Sequence, residues 1–130
     1  DDKHIQAGES AVIITYGMGV YWAKEAAKKF KGRIEIMDLR TLNPLDWDAV
    51  QQSIQAHGRA MILTEEPIHN SFAESLAGRV SKECFEWLDA PVWTVGAINL
   101  PAVPLNVDLE KMMLPNSDKV FTELENLLRY

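Results

Sequence analysis

Residues 33–46 read RIEIMDLRTLNPLD, a short β-branched run that stops at an acid and turns through polar residues and a proline. Ile34 and Ile36 alternate with Glu35 and Met37, the period-two pattern of a strand with one face more polar than the other. Asp38, Arg40, Thr41 and Asn43 supply loop chemistry. Pro44 bars a regular strand from continuing, and Asp46 is placed to cap a helix beginning at Trp47. This is one strand of an open α/β sheet with its carboxyl-end loop, the position where such sheets carry function.

Working outward, AVIITY (11–16) is apolar almost throughout and β-branched, as in a strand covered on both faces. Gly17, Met18 and Gly19 turn the chain into a helix with the apolar stripe Val20, Ala23, Ala27 and Phe30. Lys28, Lys29 and Lys31 suit the carboxyl end of its dipole, and Gly32 ends it. The helix after Asp46 shows Trp47, Val50 and Ile54 on one face and stops at Gly58; Ala60 to Thr64 is the next buried strand. The unit helix, Gly, Arg, strand therefore occurs twice. Ser71 and Glu74 form a capping-box pattern opening a long helix, with Phe72, Leu76, Val80, Cys84 or Phe85, and Leu88 as its buried stripe. Pro91 precedes a strand from Val92 to Val95, and a final helix from Asp118 to Arg129 carries Phe121, Leu124 and Leu128 inward. With His4 to Ala7 as an antiparallel edge strand, the pattern predicts a three-layer α/β/α domain with an open, mostly parallel sheet of about five strands.

Residues 1–130 make one domain, 47% hydrophobic and 25% charged, with enough apolar material for a core. Residues 97–116 break the rhythm and read as an extended proline-containing arm. The net charge of −6 arises wholly in the second half, since residues 1–64 hold eight acids and eight bases. That balance argues against nucleic acid and leaves room for a basic protein partner. No apolar run approaches the roughly 18 residues of a membrane span, and DDKHIQAGES is not a signal peptide. The single cysteine, Cys84, lies in an apolar stripe and fits a reduced, cytoplasmic setting. Without an initiating methionine, the chain reads as a piece of a longer one.

No catalytic constellation stands out. Gly17 and Gly19 lack the third glycine of G-x-G-x-x-G and read as a tight strand-to-helix turn rather than a phosphate loop. Glu65 and Glu66 follow a strand, but consecutive residues on an extended chain point opposite ways, so hydrogen bonding to loop amides or solvent is the favoured role. His4, His57 and His69 have no metal-ligand spacing; His57 reads as a helix-end cation or polar cap, and His69 is the better functional candidate. A free-standing module binding a small ligand or protein partner would have to use the loops after Tyr16 and Asp38.

The blocks TYGMGVYWAKEAA, IMDLRTLNPLD, ILTEEP and FAESLAGRVSKECFEWLDAPV, with LP at 114–115 before a closing helix, resemble the carboxyl-terminal domain of the beta part of thiamine-diphosphate-dependent 2-oxo acid dehydrogenases. The resemblance runs from about Gly8 to Tyr130 and is closest to the branched-chain and pyruvate branches. Departures are the shortened His69-Asn70-Ser71 segment, Thr94 where an arginine is common, Asn99 where an Asp is usual, and a lengthened Pro-x-x-Pro segment around Val103. The resemblance implies an assembly domain, inactive alone, of an enzyme that decarboxylates a 2-oxo acid and acylates a lipoyl group. Thiamine diphosphate and Mg would lie on other domains, so no catalytic, cofactor or metal residue is expected here. Expected partners are other domains or subunits of the same oligomeric first component and the lipoyl acyltransferase. Contact residues are expected in the arm, at Leu100, Val103, Leu105, Met112, Met113 and Leu114, and beside it at Glu66 and His69. Glu123, Glu125 and Tyr130 are candidates to receive a basic docking domain.

Overall fold

The computed structural model describes residues 10–30, 32–40, 45–97 and 115–130. The expected edge strand at His4 to Ala7 and most of the proline-containing arm lie outside them, as do Leu100, Val103, Leu105, Met112, Met113 and Leu114. Element order is β1 (Ala11–Thr15), α1 (Gly19–Ala27), β2 (Ile34–Asp38), α2 (Trp47–His57), β3 (Ala60–Pro67), α3 (Phe72–Glu83), β4 (Trp93–Ala97) and α4 (Ser117–Arg129). Short 3-10 turns follow α1 at Lys28–Phe30 and α3 at Phe85–Trp87.

The described strands form one parallel sheet in the order β2-β1-β3-β4. Every residue from Ala11 to Thr15 and from Ala60 to Thr64 is fully buried. Strand alternation sends Ala11, Ile13, Met61 and Leu63 to one side, against Ala23 and Ala26 of α1 and Val120, Leu124 and Leu127 of α4. Val12, Ile14, Ala60 and Ile62 go to the other side, against Val50 and Ile54 of α2 and Leu76 and Val80 of α3. The β1-to-β2 and β2-to-β3 crossovers run in opposite directions on opposite faces, which gives them a common hand as the crossover rule requires.

Local chemistry fixes the ends. Asp46 accepts from the Ala49 amide, Ser71 from Glu74 and Asn116 from Lys119, each an N-cap that satisfies an orphan helix donor. The capping box at Ser71 is only half formed: the Glu74 carboxylate accepts from the Asn70 amide at 2.8 Å, one residue beyond the reciprocal position. Gly58 ends α2 in the left-handed region at φ 75°, and a Cβ there would overlap the Asp89 carboxylate. The Asp89 amide donates to the Gly58 carbonyl at 2.7 Å, so the segment before β4 is clasped onto the end of α2.

Three details differ from the sequence reading. The helix beginning at Phe72 ends at Glu83, and the chain continues as a 3-10 turn that leaves Phe85 77% exposed while Cys84 stays buried. Leu88, beyond the helix, still packs on the core with Trp87 and Val92. The strand from Ala60 continues past Thr64 to Pro67 through a bulge, in which Thr64, Glu65 and Glu66 of β3 oppose the single Gly96 of β4 between the pairs Leu63–Val95 and Pro67–Ala97. The buried stripe of α4 is Val120, Leu124 and Leu127, with Phe121 and Leu128 flanking it. Phe121 stacks on Phe30 at 5.1 Å, under the Lys29 ammonium.

Two glycines separate packing from propensity. A Cβ on Gly19 would overlap Thr15 Oγ1 and touch Leu63, whereas one on Gly78, in α3, meets nothing within 4 Å. Gly19→Ala should therefore lower stability in urea unfolding by about 1–3 kcal/mol through overpacking. Gly78→Ala should raise it by about 0.5–1 kcal/mol, the helix-propensity difference.

Candidate functional site

Strand order places the topological switch point between β1 and β3, because the chain leaves β1 toward one face and β3 toward the other. Open α/β sheets bind ligands in the crevice outside that point. Here its walls are Tyr16, Gly17 and the bulged Thr64, Glu65 and Glu66. Thr15 Oγ1 donates to the Leu63 carbonyl at 2.9 Å, and Thr64 Oγ1 donates to Tyr16 Oη at 3.0 Å while accepting from the Glu66 amide at 3.2 Å. The Tyr16 ring meets Phe72 edge-on at 5.9 Å. Glu65 Oε1 stands 3.0 Å from the position of a Cβ on Gly17, whose φ is +62°. The crevice is thus closed by the domain's own side chains.

This arrangement does not suit a diphosphate. The first amides of α1 already donate within a tight turn, Gly19 to Tyr16, Val20 to Gly17 and Tyr21 to Met18, so these three are not free to hold an anion. The exposed carboxylates of Glu65 and Glu66 would repel one. Among the described residues, no group of three or more His, Cys, Asp or Glu side chains could hold a metal ion. These features do not match a diphosphate, and a tight turn accounts for Gly17 and Gly19.

The remaining candidates separate to different ends of the domain. His69 is exposed, 3.6 Å from Glu74, and Glu66 is exposed nearby along the chain; both belong to the carboxyl end of the sheet. Glu123 accepts from Trp93 Nε1 at 2.6 Å, and Tyr130 lies edge-on to the same indole at 6.3 Å. Glu125 pairs with Arg129 at 3.3 Å along α4. Glu123 also borders a cleft of about 600 Å³ between β4 and α4, lined further by Thr94, Gly96 and Thr122. Tyr130 and the exposed Phe85 border another, of about 490 Å³, with Leu88 and Pro91. Cys84 is buried and its thiol pKa is raised by desolvation and by Glu83, so it is a core residue rather than a nucleophile.

One polar cluster was not anticipated from the sequence. His57 Nδ1 meets Ser10 Oγ at 2.8 Å and Nε2 meets Glu35 Oε2 at 2.6 Å, while Ser53 donates to Glu35 Oε1 at 2.8 Å. His57 is thus a cross-link between α2, β1 and β2 rather than a simple helix-end cap. The spacing of Ser53 and His57, one turn apart, was the only signal available, and it names no partner.

Residues 3–120 match the family model described as "Transketolase, C-terminal domain". The chain is 33% identical over 118 residues to a pyruvate dehydrogenase E1 component subunit beta of Rhizobium meliloti, covering 88% of this chain and 25% of that protein. It is 30% identical over 126 residues to the 2-oxoisovalerate dehydrogenase subunit beta of Bacillus subtilis, covering 95% and 38%. It is 34% identical over 128 residues to a 3-methyl-2-oxobutanoate dehydrogenase subunit beta of Mycobacterium tuberculosis, covering 95% and 36%. A solved structure described as a split gene transketolase, inactive beta4 tetramer, superposes with a TM-score of 0.76 at 20% identity, over 95% of this chain and 41% of that one. The chain therefore spans well under half the length of the relatives it matches.

The Tyr16 phenol gives a test of the closed crevice. Burial is the largest cause pushing its pKa above the usual 10.0; the Thr64 hydrogen bond opposes this, and Glu66 and Glu65 add to the rise. A raised folded pKa means the unfolded chain loses the proton first. The stabilisation is complete below the unfolded value and is lost as pH rises through the folded one. Wild type should lose stability relative to Tyr16→Phe above about pH 10, measured as unfolding midpoints against pH; parallel curves would mean an open, solvated phenol.

Proposed function

Because the chain belongs to the transketolase C-terminal domain family, we propose that it is the assembly domain of the beta part of a 2-oxo acid dehydrogenase first component. The observation that carries this reading is that nearly the whole chain aligns, at 30–34% identity, with a quarter to two-fifths of proteins named as beta subunits of such dehydrogenases. The complete enzyme would release CO2 from pyruvate or a branched-chain 2-oxo acid. It would pass the acyl group to a lipoyl disulfide, whose S–S bond opens to one thioester and one thiol. Thiamine diphosphate and Mg would be held by other parts of the enzyme, in keeping with the closed, acid-lined crevice between β1 and β3.

The residues of this chain would act by contact, with no membrane or nucleic-acid partner assigned. Other domains or subunits of the same oligomeric first component are the primary partners, and the acyltransferase is the second. Glu125 and Tyr130, near the carboxyl terminus of the chain, are the favoured docking residues. Glu123 is committed to the Trp93 indole, so replacing it would disturb the fold as well as any docking. Glu66 and His69 lie at the opposite end of the sheet and would serve a separate contact.

Two measurements test the reading. The protein encoded by the complete reading frame, supplied with thiamine diphosphate, Mg and a lipoyl acceptor, should turn over pyruvate or 2-oxoisovalerate; failure with every 2-oxo acid tried would remove the enzyme reading. Glu125→Gln with deletion of Tyr130 should weaken binding of the acyltransferase docking domain by about tenfold and flatten its salt dependence. Unchanged affinity and salt dependence would place docking elsewhere.

A further inference from the structure

Trp93 opens β4 at the edge of the described sheet, and its indole is met by Glu123 of α4 and by Tyr130, the C-cap of that helix. Glu123 Oε2 accepts from the indole Nε1–H at 2.6 Å. The Tyr130 ring lies edge-on to the same indole, centroids 6.3 Å apart and planes at 72°. A half-buried indole needs an acceptor for its N–H, and a carboxylate is a strong one. That bond fixes the indole against α4. Helix ends fray, and Tyr130 is 66% exposed at the end of this one; among the described residues its ring has no aromatic partner but Trp93.

Glu123 and Tyr130 open onto different spaces. Glu123 borders the cleft between β4 and α4, Tyr130 borders the one that holds Phe85, Leu88 and Pro91, and no described residue lines both. An effect of Glu123 on a contact made by Tyr130 has a path through touching side chains, the indole between them. We propose that Glu123 and Trp93 are positioning residues for docking. The hydrogen bond holds the indole, the indole holds the Tyr130 ring beside its cleft, and the partner does not read the charge of Glu123. This rests on the reading that Tyr130 docks the acyltransferase, and it adds to that reading two residues and the order in which they act. It also reassigns Glu123, which the sequence offers as a direct attractor for a basic partner.

The test is binding of the acyltransferase docking domain, over a range of salt, to the protein from the complete reading frame. Glu123→Gln keeps an acceptor for the indole without the charge, so it should stay within about twofold of wild type with the same salt dependence. Glu123→Ala and Trp93→Phe each remove the hydrogen bond and should weaken binding about threefold, again without flattening the salt dependence. Tyr130→Ala should cost about fivefold, and adding either of those changes to it should cost nothing more, because residues that act through one another are not additive. A loss in Glu123→Gln equal to that in Glu123→Ala, or a flatter salt dependence, overturns the proposal, since the charge then acts directly. So do additive losses with Tyr130→Ala, and so does unchanged binding in both Glu123→Ala and Trp93→Phe. Amide exchange on the same variants should show lost protection confined to the last turn of α4. Where Glu123→Ala loses protection throughout the sheet instead, Glu123→Gln and Trp93→Phe decide the matter. Wild-type protein that fails to bind the docking domain removes the docking reading and this inference with it, whereas wild-type binding with additive losses removes only this inference.

Discussion

Everything in this domain depends on β1 and β3 being buried on both faces. Ten consecutive strand positions, Ala11–Thr15 and Ala60–Thr64, are closed to solvent, and their side chains alternate between two separate cores. Such a pair can be stable only if helices cover both sides, so the sequence must return on opposite faces after successive strands. That alternation creates the switch point, and it also sets how tightly α1 must approach the sheet. Gly19 answers the second demand, because any side chain there would collide with Thr15.

The same packing decides what the switch point does. A crevice of this kind usually receives a ligand, but here Tyr16, Thr64 and Glu65 occupy it, and the amides that would cradle a phosphate are consumed by the turn into α1. The function proposed for the domain is accordingly one of contact through its surfaces. The amino-end face holds a cross-linked Ser10–His57–Glu35 cluster, while the carboxyl terminus holds the exposed Tyr130 and the half-buried Glu125.

Much of this was legible in the sequence because the signals are local. The unbroken apolar runs of β1 and β3, the caps at Asp46 and Ser71, and the glycine ending α2 each follow from a few adjacent residues. The misses all depend on distant partners. A 3.6-residue period could not choose between Cys84 and Phe85; the early end of α3 and the Asp89 clasp on Gly58 made the choice. The extension of β3 through a bulge depends on its pairing with β4 near Ala97. The role of His57 was hidden for the same reason, since Ser10 and Glu35 become its neighbours only through sheet register.

The central claim, that the domain contributes contacts and no cofactor chemistry, is tested most directly by titrating thiamine diphosphate with Mg into the 130-residue chain in a calorimeter. The hydrogen-bonded Tyr16–Thr64 pair in the crevice and the amides already used in the turn into α1 lead to no saturable heat beyond dilution. Saturable binding at micromolar cofactor would contradict the account, because it would require a site that these residues, as packed here, do not provide.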